Sequence, residues 1–309
     1  MKAAIIIVWF GPFPPWFSAF LVSCSRVHCV DWHIFHDHPL EFSVPEQVIL
    51  HDYSPEEFQS AVTARLGWNG KAIEPYKLCD FRPAFGVLFE EYIENYDYFG
   101  WGDLDVVFGN VDQFLYGIID RWDVISFSDD VPSNHFILIR NTERHRNLYR
   151  QIKDYPSLLQ SPEYVGVDDF VFPTVLRAQP RAWFKELHAT PFIRVKPWAD
   201  GTHNYPTRWL WNQGQLTNNL DVGFEFLYLH FMIWKGGYRD YYCRTRNWEG
   251  LDASRLTVNA GSESFAISAD GLTPQRPRAM KELRRMGLDT TPIYDYRRRL
   301  RIKALSWLT

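Results

Sequence analysis

Apolar residues recur along this chain in two rhythms, unbroken short runs and runs spaced by three or four. Residues 3–10, AAIIIVWF, form a run that reads as a first buried strand, ending at Gly11, Pro12, Pro14 and Pro15. PWFSAFLVSCSRV follows with enough apolar positions for a core-facing helix, and DWHIFHD and EQVILHD read as second and third strands. In SPEEFQSAVTARLG a helix start is spelled out. Ser54 stands at the N-cap, Pro55 at the first helical position and Glu57 three residues after the cap, a capping box, and Phe58, Val62 and Leu66 make one buried stripe. A further helix is predicted from near Pro83, with Phe85, Leu88, Phe89 and Tyr92 at i, i+3, i+4 and i+7, delivering the chain into the strand YDYFGW. DVISFS and HFILIR read as strands, ERHRNLYRQI and DDFVFPTVLR as helices. FEFLYLHFMIWK, apolar on both faces except for His230, reads as a central or well-covered strand. Strands alternating with helices in this way predict an α/β fold, a mostly parallel central sheet with helices on both faces.

Composition narrows the function classes. At 309 residues the chain is long enough for a sizeable core, and no linker, charge block or repeat divides it. A net charge of -4 argues against nucleic acid as a partner, which favours a basic footprint. Aromatic residues make up 17%, which suits stacking on sugars and equally suits a well-filled core. Cys24, Cys29, Cys79 and Cys243 have neither metal-ligand nor disulfide-framework spacing, as expected of a reducing compartment. The apolar run after Lys2 is short, meets prolines and shows no small-residue cleavage pattern, so it reads as a strand rather than a signal peptide. No run approaches a membrane span. The expected location is cytoplasmic, at the inner face of the membrane if the tail binds there. That tail, RRRLRIKALSWLT from Arg297, sets Leu300, Ala304, Trp307 and Leu308 along one side of a helix amid Arg and Lys. Such a segment suits peripheral contact with anionic lipid as well as a docked terminal helix with a solvated face.

Chemistry concentrates where the strand YDYFGW ends. In an extended segment Asp103 and Asp105 project to one side and Leu104 to the other, and two hard carboxylates at a strand's carboxyl end suit Mn²⁺ or Mg²⁺ with substrate phosphates, a solvated turn being the alternative. Gly100, Gly102 and Gly109 are expected to let a bulky ligand approach the backbone. His230, an imidazole in an apolar strand, needs a partner, either a metal or a backbone carbonyl.

The arrangement YKLCDFRPAFGVLFEEYIENYDYFGWGDLDVVFGN resembles the centre of GT-A fold (Rossmann-like), nucleotide-sugar-dependent glycosyltransferases, in which a Lys/Arg-bearing helix precedes an apolar strand ending in D-x-D. LHFMIWK is similar to the late His-x-Gly-x-x-Lys motif of glycogenin-like retaining members, although the glycine is absent and Lys235 is one residue closer. The resemblance implies a glycosyltransferase domain over residues 1–240 and a C-terminal helical extension over 241–309. It implies a metal at Asp103, Asp105 and His230, with Lys235 on the phosphates of a nucleoside-diphosphate sugar, UDP-sugars favoured. Lys77, Asp80 and Arg82 are then expected at the nucleotide or donor sugar, a surface salt bridge among the three being the alternative, and Trp9 and Phe10 at the base and Asp37 at base or ribose, where core or cap roles are the alternative. Asp168 and Asp169 are expected to face the acceptor or donor sugar as catalytic or positioning groups, N-capping being the plainer role, and the loop SDDVPSNH is expected to line the acceptor site. The implied activity is transfer to a glycan or lipid-linked acceptor, retention slightly favoured, in bacterial surface polysaccharide synthesis. The alternatives are a sugar-phosphate nucleotidyltransferase, whose Gly-rich phosphate loop GPFPPWF does not resemble, and a non-catalytic carbohydrate-binding scaffold of the same fold.

Overall fold

The computed structural model describes residues 2–70, 73–127, 132–180, 184–186, 208–219, 225–230, 248 and 250–275. Its main sheet has seven strands in the order β3-β2-β1-β4-β7-β6-β8. They are β1 (Ala3–Trp9), β2 (Val30–His36), β3 (Val48–Asp52), β4 (Tyr98–Gly102), β6 (Val124–Ser126), β7 (Phe136–Arg140) and β8 (Phe184–Glu186). The first four listed are parallel, β7 is antiparallel to β4 and β6, and β6 is parallel to β8, so β7 alone runs against the rest.

The continuous apolar run of β1 follows from cover on both faces. Ala4 and Ile6 pack on one side with Phe58 and Val62 of helix α2 (Pro55–Leu66). Ala3, Ile5 and Ile7 pack on the other with Phe17, Phe20 and Leu21 of helix α1 (Phe17–Cys24). The expected capping box is present: Glu57 N donates to Ser54 Oγ at 3.1 Å, and Ser54 N donates to Glu57 Oε2 at 2.7 Å. Gly67, at φ 68°, ends the helix in the left-handed conformation.

The segment before β4 departs from the predicted single helix. The chain winds as a 3₁₀ stretch over Pro75–Ala84, then as two short α turns, Phe85–Leu88 and Glu90–Ile93. Pro83 offers no N–H to a continuous ladder, and Leu78, Phe81, Phe85, Leu88, Phe89 and Ile93 are all buried, so core packing holds the winding where regular hydrogen bonding does not. ERHRNLYRQI likewise divides into Glu143–Arg146 and Leu148–Gln151, and DDFVFPTVLR into a π turn, Val167–Val171, and the helix Phe172–Ala178.

Two smaller sheets complete the described structure. Strands β5 (Val106–Phe108) and β11 (Tyr228–His230) form an antiparallel ribbon. A four-stranded antiparallel sheet has the order β10-β9-β12-β13, from β9 (Arg208–Asn212), β10 (Gln215–Asn218), β12 (Ser264–Ser268) and β13 (Gly271–Pro274). The sequence pattern did not predict this second sheet. Its first turn is the tight hairpin Gln213-Gly214, both at positive φ, and strands from either side of residue 240 share it. Trp209, Trp211, Leu216, Phe265 and Ile267 pack it against Val107, Phe226 and Leu229 of the ribbon segments and Ala19 and Val22 of α1. Among the described residues no helix is long and apolar enough to cross a membrane. Lys235, Cys243 and the basic tail lie outside the described residues.

Candidate active site

Between β4 and β5 the chain bends at Asp103, Leu104 and Asp105, with Asp103 N donating to the His135 carbonyl at 3.2 Å. Leu104 turns into the core, and the carboxylates converge through this bend rather than through an extended strand. The ribbon supplies the third group. Its register sets His230 opposite Val106, which places His230 Nε2 3.2 Å from Asp105 Oδ2 and 4.0 Å from Asp103 Oδ2. One ligand atom from each residue lies within 4.8 Å of the others. Asp105 and His230 are buried while Asp103 is half-buried, so the cluster opens to solvent on the Asp103 side. The His135 ring stacks on His230 with centroids 4.2 Å apart, and its Nε2 lies 2.7 Å from Tyr228 Oη. Two hard oxygens and a borderline nitrogen at the carboxyl edge of the sheet fit Mn²⁺ or Mg²⁺.

The neighbouring glycines have another role than the one expected. A Cβ at Gly100 would stand 1.7 Å from the Ile137 carbonyl oxygen, and one at Gly109 would stand 2.1 Å from that of Phe226. They let strands approach one another, and protein backbone, not a ligand, fills the space beside them.

Arg82 joins the acidic bend to a second carboxylate pair. Its Nη2 donates to Asp103 Oδ1, and its Nη1 donates to Asp168 Oδ2 at 3.1 Å and to the Asn134 carbonyl at 3.4 Å. Asn134 Nδ2 donates to the Asp168 carbonyl and to Asp169 Oδ1, both at 2.8 Å. The Tyr164 hydroxyl lies 3.0 Å from Asp168 Oδ1 and 2.6 Å from Asp169 Oδ2. That hydroxyl has one proton for two carboxylates. Burial above all, then the charge of Asp169, pushes Asp168 up to about 7 against the pull of Arg82, so Asp168 supplies the missing proton when protonated. Both aspartates sit inside the π turn, whose N-cap residue is Gly166, so neither takes the N-capping role, and their carboxylates meet Arg82, Asn134 and Tyr164 instead.

The remaining expected residues divide by position. Lys77 and Asp80 are buried and 2.8 Å apart. Lys77 Nζ donates to the carbonyls of Leu158 and Glu163, and Asp80 accepts from Val165 N and Val167 N at 2.9 and 2.7 Å. They tie down the loop that carries Asp168 and Asp169, beneath the site. Trp9, Phe10 and Asp37 stand at the carboxyl ends of β1 and β2, where Trp9 is level with His36, and Asp37 Oδ1 accepts from Gly11 N at 2.7 Å. Of SDDVPSNH, residues 128–131 lie outside the described residues, and its far end brings Asn134 and His135 to the site. Tyr164 was missed in the sequence because nothing local distinguishes it from any other loop tyrosine.

Fold and site together define a mostly parallel α/β protein with an acidic, imidazole-bearing centre at the carboxyl edge of its sheet. The chain belongs to the family described as "Family of unknown function (DUF6625)", which it matches over residues 5–249. Among curated proteins none matches the sequence. Solved structures similar to it include mouse xyloside xylosyltransferase 1 in its apo form, with 13% identity, 74% of this chain and 97% of that chain covered, and a TM-score of 0.39. A glycosyltransferase involved in glycosylation of the major capsid of PBCV-1 shares 12% identity over 74% of this chain and 94% of that chain, with a TM-score of 0.35. The glycosyltransferase GlyE of Streptococcus pneumoniae TIGR4 shares 12% over 60% of this chain and 45% of that chain, at 0.32.

Proposed function

We propose that the protein is a metal-dependent glycosyltransferase that moves a sugar from a nucleoside-diphosphate sugar, a UDP-sugar by preference, to a glycan or lipid-linked acceptor. The observation that carries this reading is the convergence of Asp103, Asp105 and His230, from segments 125 residues apart, at the carboxyl edge of the sheet. These three residues would hold Mn²⁺ or Mg²⁺, which when bound would supply Lewis-acid neutralisation of the leaving diphosphate. Trp9, Phe10 and Asp37 border the nucleoside pocket. Arg82 fixes Asp103 on one side and Asp168 on the other, and its guanidinium adds cationic charge where the donor's anionic groups gather. Lys77 and Asp80 act by holding the 158–167 segment, so their part in the reaction is positioning. Asp169, fixed by Asn134 and Tyr164, presents a carboxylate to the acceptor, and Asp168 stores a proton beside it. Retention of configuration is favoured by the likeness of the His230 segment to the glycogenin-like motif, and with it a phosphate contact by Lys235. The basic tail provides peripheral contact with anionic membrane, and assembly of a bacterial surface polysaccharide is the process that such contact suits.

The full-length protein incubated with Mn²⁺ and UDP-glucose, UDP-galactose or GDP-mannose is expected to release nucleoside diphosphate. Asp103→Ala and Asp105→Ala are expected to reduce that release at least about 100-fold, a loss of roughly 2.7 kcal/mol or more. Release of pyrophosphate instead, or turnover unchanged in both variants, would sink the assignment.

A further inference from the structure

Among the described residues four large apolar side chains stand exposed, Tyr76, Tyr116, Val165 and Phe170, and three of these lie beside the Asp168–Asp169 pair. Tyr76, 69% exposed, meets the Tyr164 ring edge-on, with centroids 4.7 Å apart. Phe170, 73% exposed, folds back over Gly166. A Cβ at Gly166 would lie 2.5 Å from the Phe170 ring and 3.6 Å from the Tyr164 hydroxyl, so both side chains converge on that point. Gly166 has φ 75°, and its missing side chain leaves the room the Phe170 ring takes. Tyr76, Tyr164 and Phe170 therefore form one strip of aromatic surface. Its border is polar and rigid: Asp169 is fixed by Asn134 at 2.8 Å and by Tyr164 at 2.6 Å, and each of its oxygens keeps a lone pair for another donor.

Exposed rings gathered at one place signal a binding surface, and the border tells which kind. An acyl chain or apolar peptide laid across the strip would cover the Asp169 carboxylate and leave it without water or a partner. A phosphate-bearing ligand would meet that carboxylate with like charge. A pyranose matches both features, since its C–H face stacks on aromatic rings and its hydroxyls donate to a carboxylate at the edge. We propose that Tyr76, Tyr164 and Phe170 form a subsite for a neutral pyranoside unit of the acceptor glycan, with Asp169 accepting its hydroxyls. The word acceptor rests on the transferase reading; the sugar contact needs neither metal nor nucleotide.

The test is saturation-transfer NMR on the full chain in EDTA, irradiating aromatic protons in the presence of maltose, cellobiose, lactose, methyl α-mannopyranoside or methyl β-galactopyranoside. At least one sugar is expected to receive saturation on its ring C–H protons, and Tyr76→Ala with Phe170→Ala is expected to weaken its binding roughly tenfold. Phe170→Trp, which keeps a ring face, is expected to hold the wild-type affinity and guards against a general loss of folding. No transfer to any of the five sugars, or full affinity in the double alanine variant, would overturn the subsite. Absence of Mn²⁺-dependent diphosphate release, with sugar contact in EDTA intact and sensitive to the two rings, would overturn the transferase reading while supporting the subsite.

Discussion

Asp168 has neighbours that pull its charge in opposite directions. Burial and Asp169 favour the protonated form, and Arg82 and Tyr164 favour the anion. The outcome is a carboxyl raised from 3.8 to about 7. Between those values the native protein keeps a proton that the unfolded chain has released, so this residue lowers stability progressively from about pH 4 to pH 7 and no further above it. In Asp168→Asn the side chain cannot ionise and that slope disappears. The stability of the variant relative to wild type is therefore expected to rise with pH across this window, by up to about 4 kcal/mol, whatever constant offset the lost Arg82 contact introduces. Urea unfolding of both proteins at pH 4, 5, 6, 7 and 8 measures this, and a pH-independent difference would mean that Asp168 titrates as an ordinary carboxyl. Part of this chemistry is legible in the sequence. Asp103 and Asp105 announce themselves by interrupting an apolar run. Tyr164 and Asn134 have nothing to mark them until the fold sets their polar atoms on Asp169.

Elements with local instructions were legible, and those held by packing were not. Helix α2 carries its own start signal in Ser54, Pro55 and Glu57 and forms where that signal places it. The stretch from Pro75 to Ile93 has helical apolar spacing but is apolar on nearly every side, so burial selects a broken winding that periodicity does not foresee. Strands β2 and β3 hide a polar chain inside an apolar pattern. His51 Nε2 is 3.0 Å from His33 Nδ1, His33 Nε2 is 2.9 Å from Tyr96 Oη, and Tyr96 donates to Asp31 Oδ2 at 2.8 Å. With both imidazoles neutral, every link is satisfied in one direction, from His51 through His33 to Tyr96. Burial first, and then the charge of His51, lowers His33 to about 4, and burial also lowers His51. As pH falls from 6.5 toward 4 the unfolded chain takes up protons that the native strands refuse, so stability that is complete above 6.5 is lost through this window. His33→Gln cannot titrate and is expected to flatten this acid loss, by up to about 3 kcal/mol between pH 7 and 4. Thermal unfolding of the two proteins across that range checks it, and parallel curves would refute it. Its trend opposes that of Asp168, so the two variants separate contributions that partly cancel in the wild type.

At the scale of the whole molecule, the site stands where three apolar clusters meet. Asp103 and Asp105 occupy the bend from the main sheet into the ribbon. The ribbon's segments pack Tyr228 and Leu227 into the cluster beneath α1, and Leu229 and Phe226 into the cluster under the second sheet. Trp211 of that sheet reaches across to donate its Nε1–H to the Phe108 carbonyl at 2.9 Å. His230 is thus held at the carboxylates by a sheet that the apolar pattern did not predict, so in the sequence only the family resemblance joins His230 to Asp103 and Asp105, and the packing that brings the three together was not legible. On the proposed metal-dependent reading, a cation bound between the bend and the ribbon would fasten the main sheet to the ribbon and, through it, to the second sheet. Because the three ligands would meet only in the native state, Mn²⁺ at 100 times its dissociation constant is expected to add about 2.7 kcal/mol, and EDTA to reverse it. For a chain of this size that corresponds to a rise in Tm of about 4 °C. His230→Ala removes the ribbon's ligand and is expected to abolish most of the shift while leaving a small effect from the two carboxylates. Amide exchange locates the change: protection is expected to increase on Mn²⁺ addition at Val106–Phe108 and Tyr228–His230 and to stay constant in α2, which touches neither. A uniform increase in protection, or a Tm shift that survives in His230→Ala undiminished, would place the ion elsewhere on the molecule.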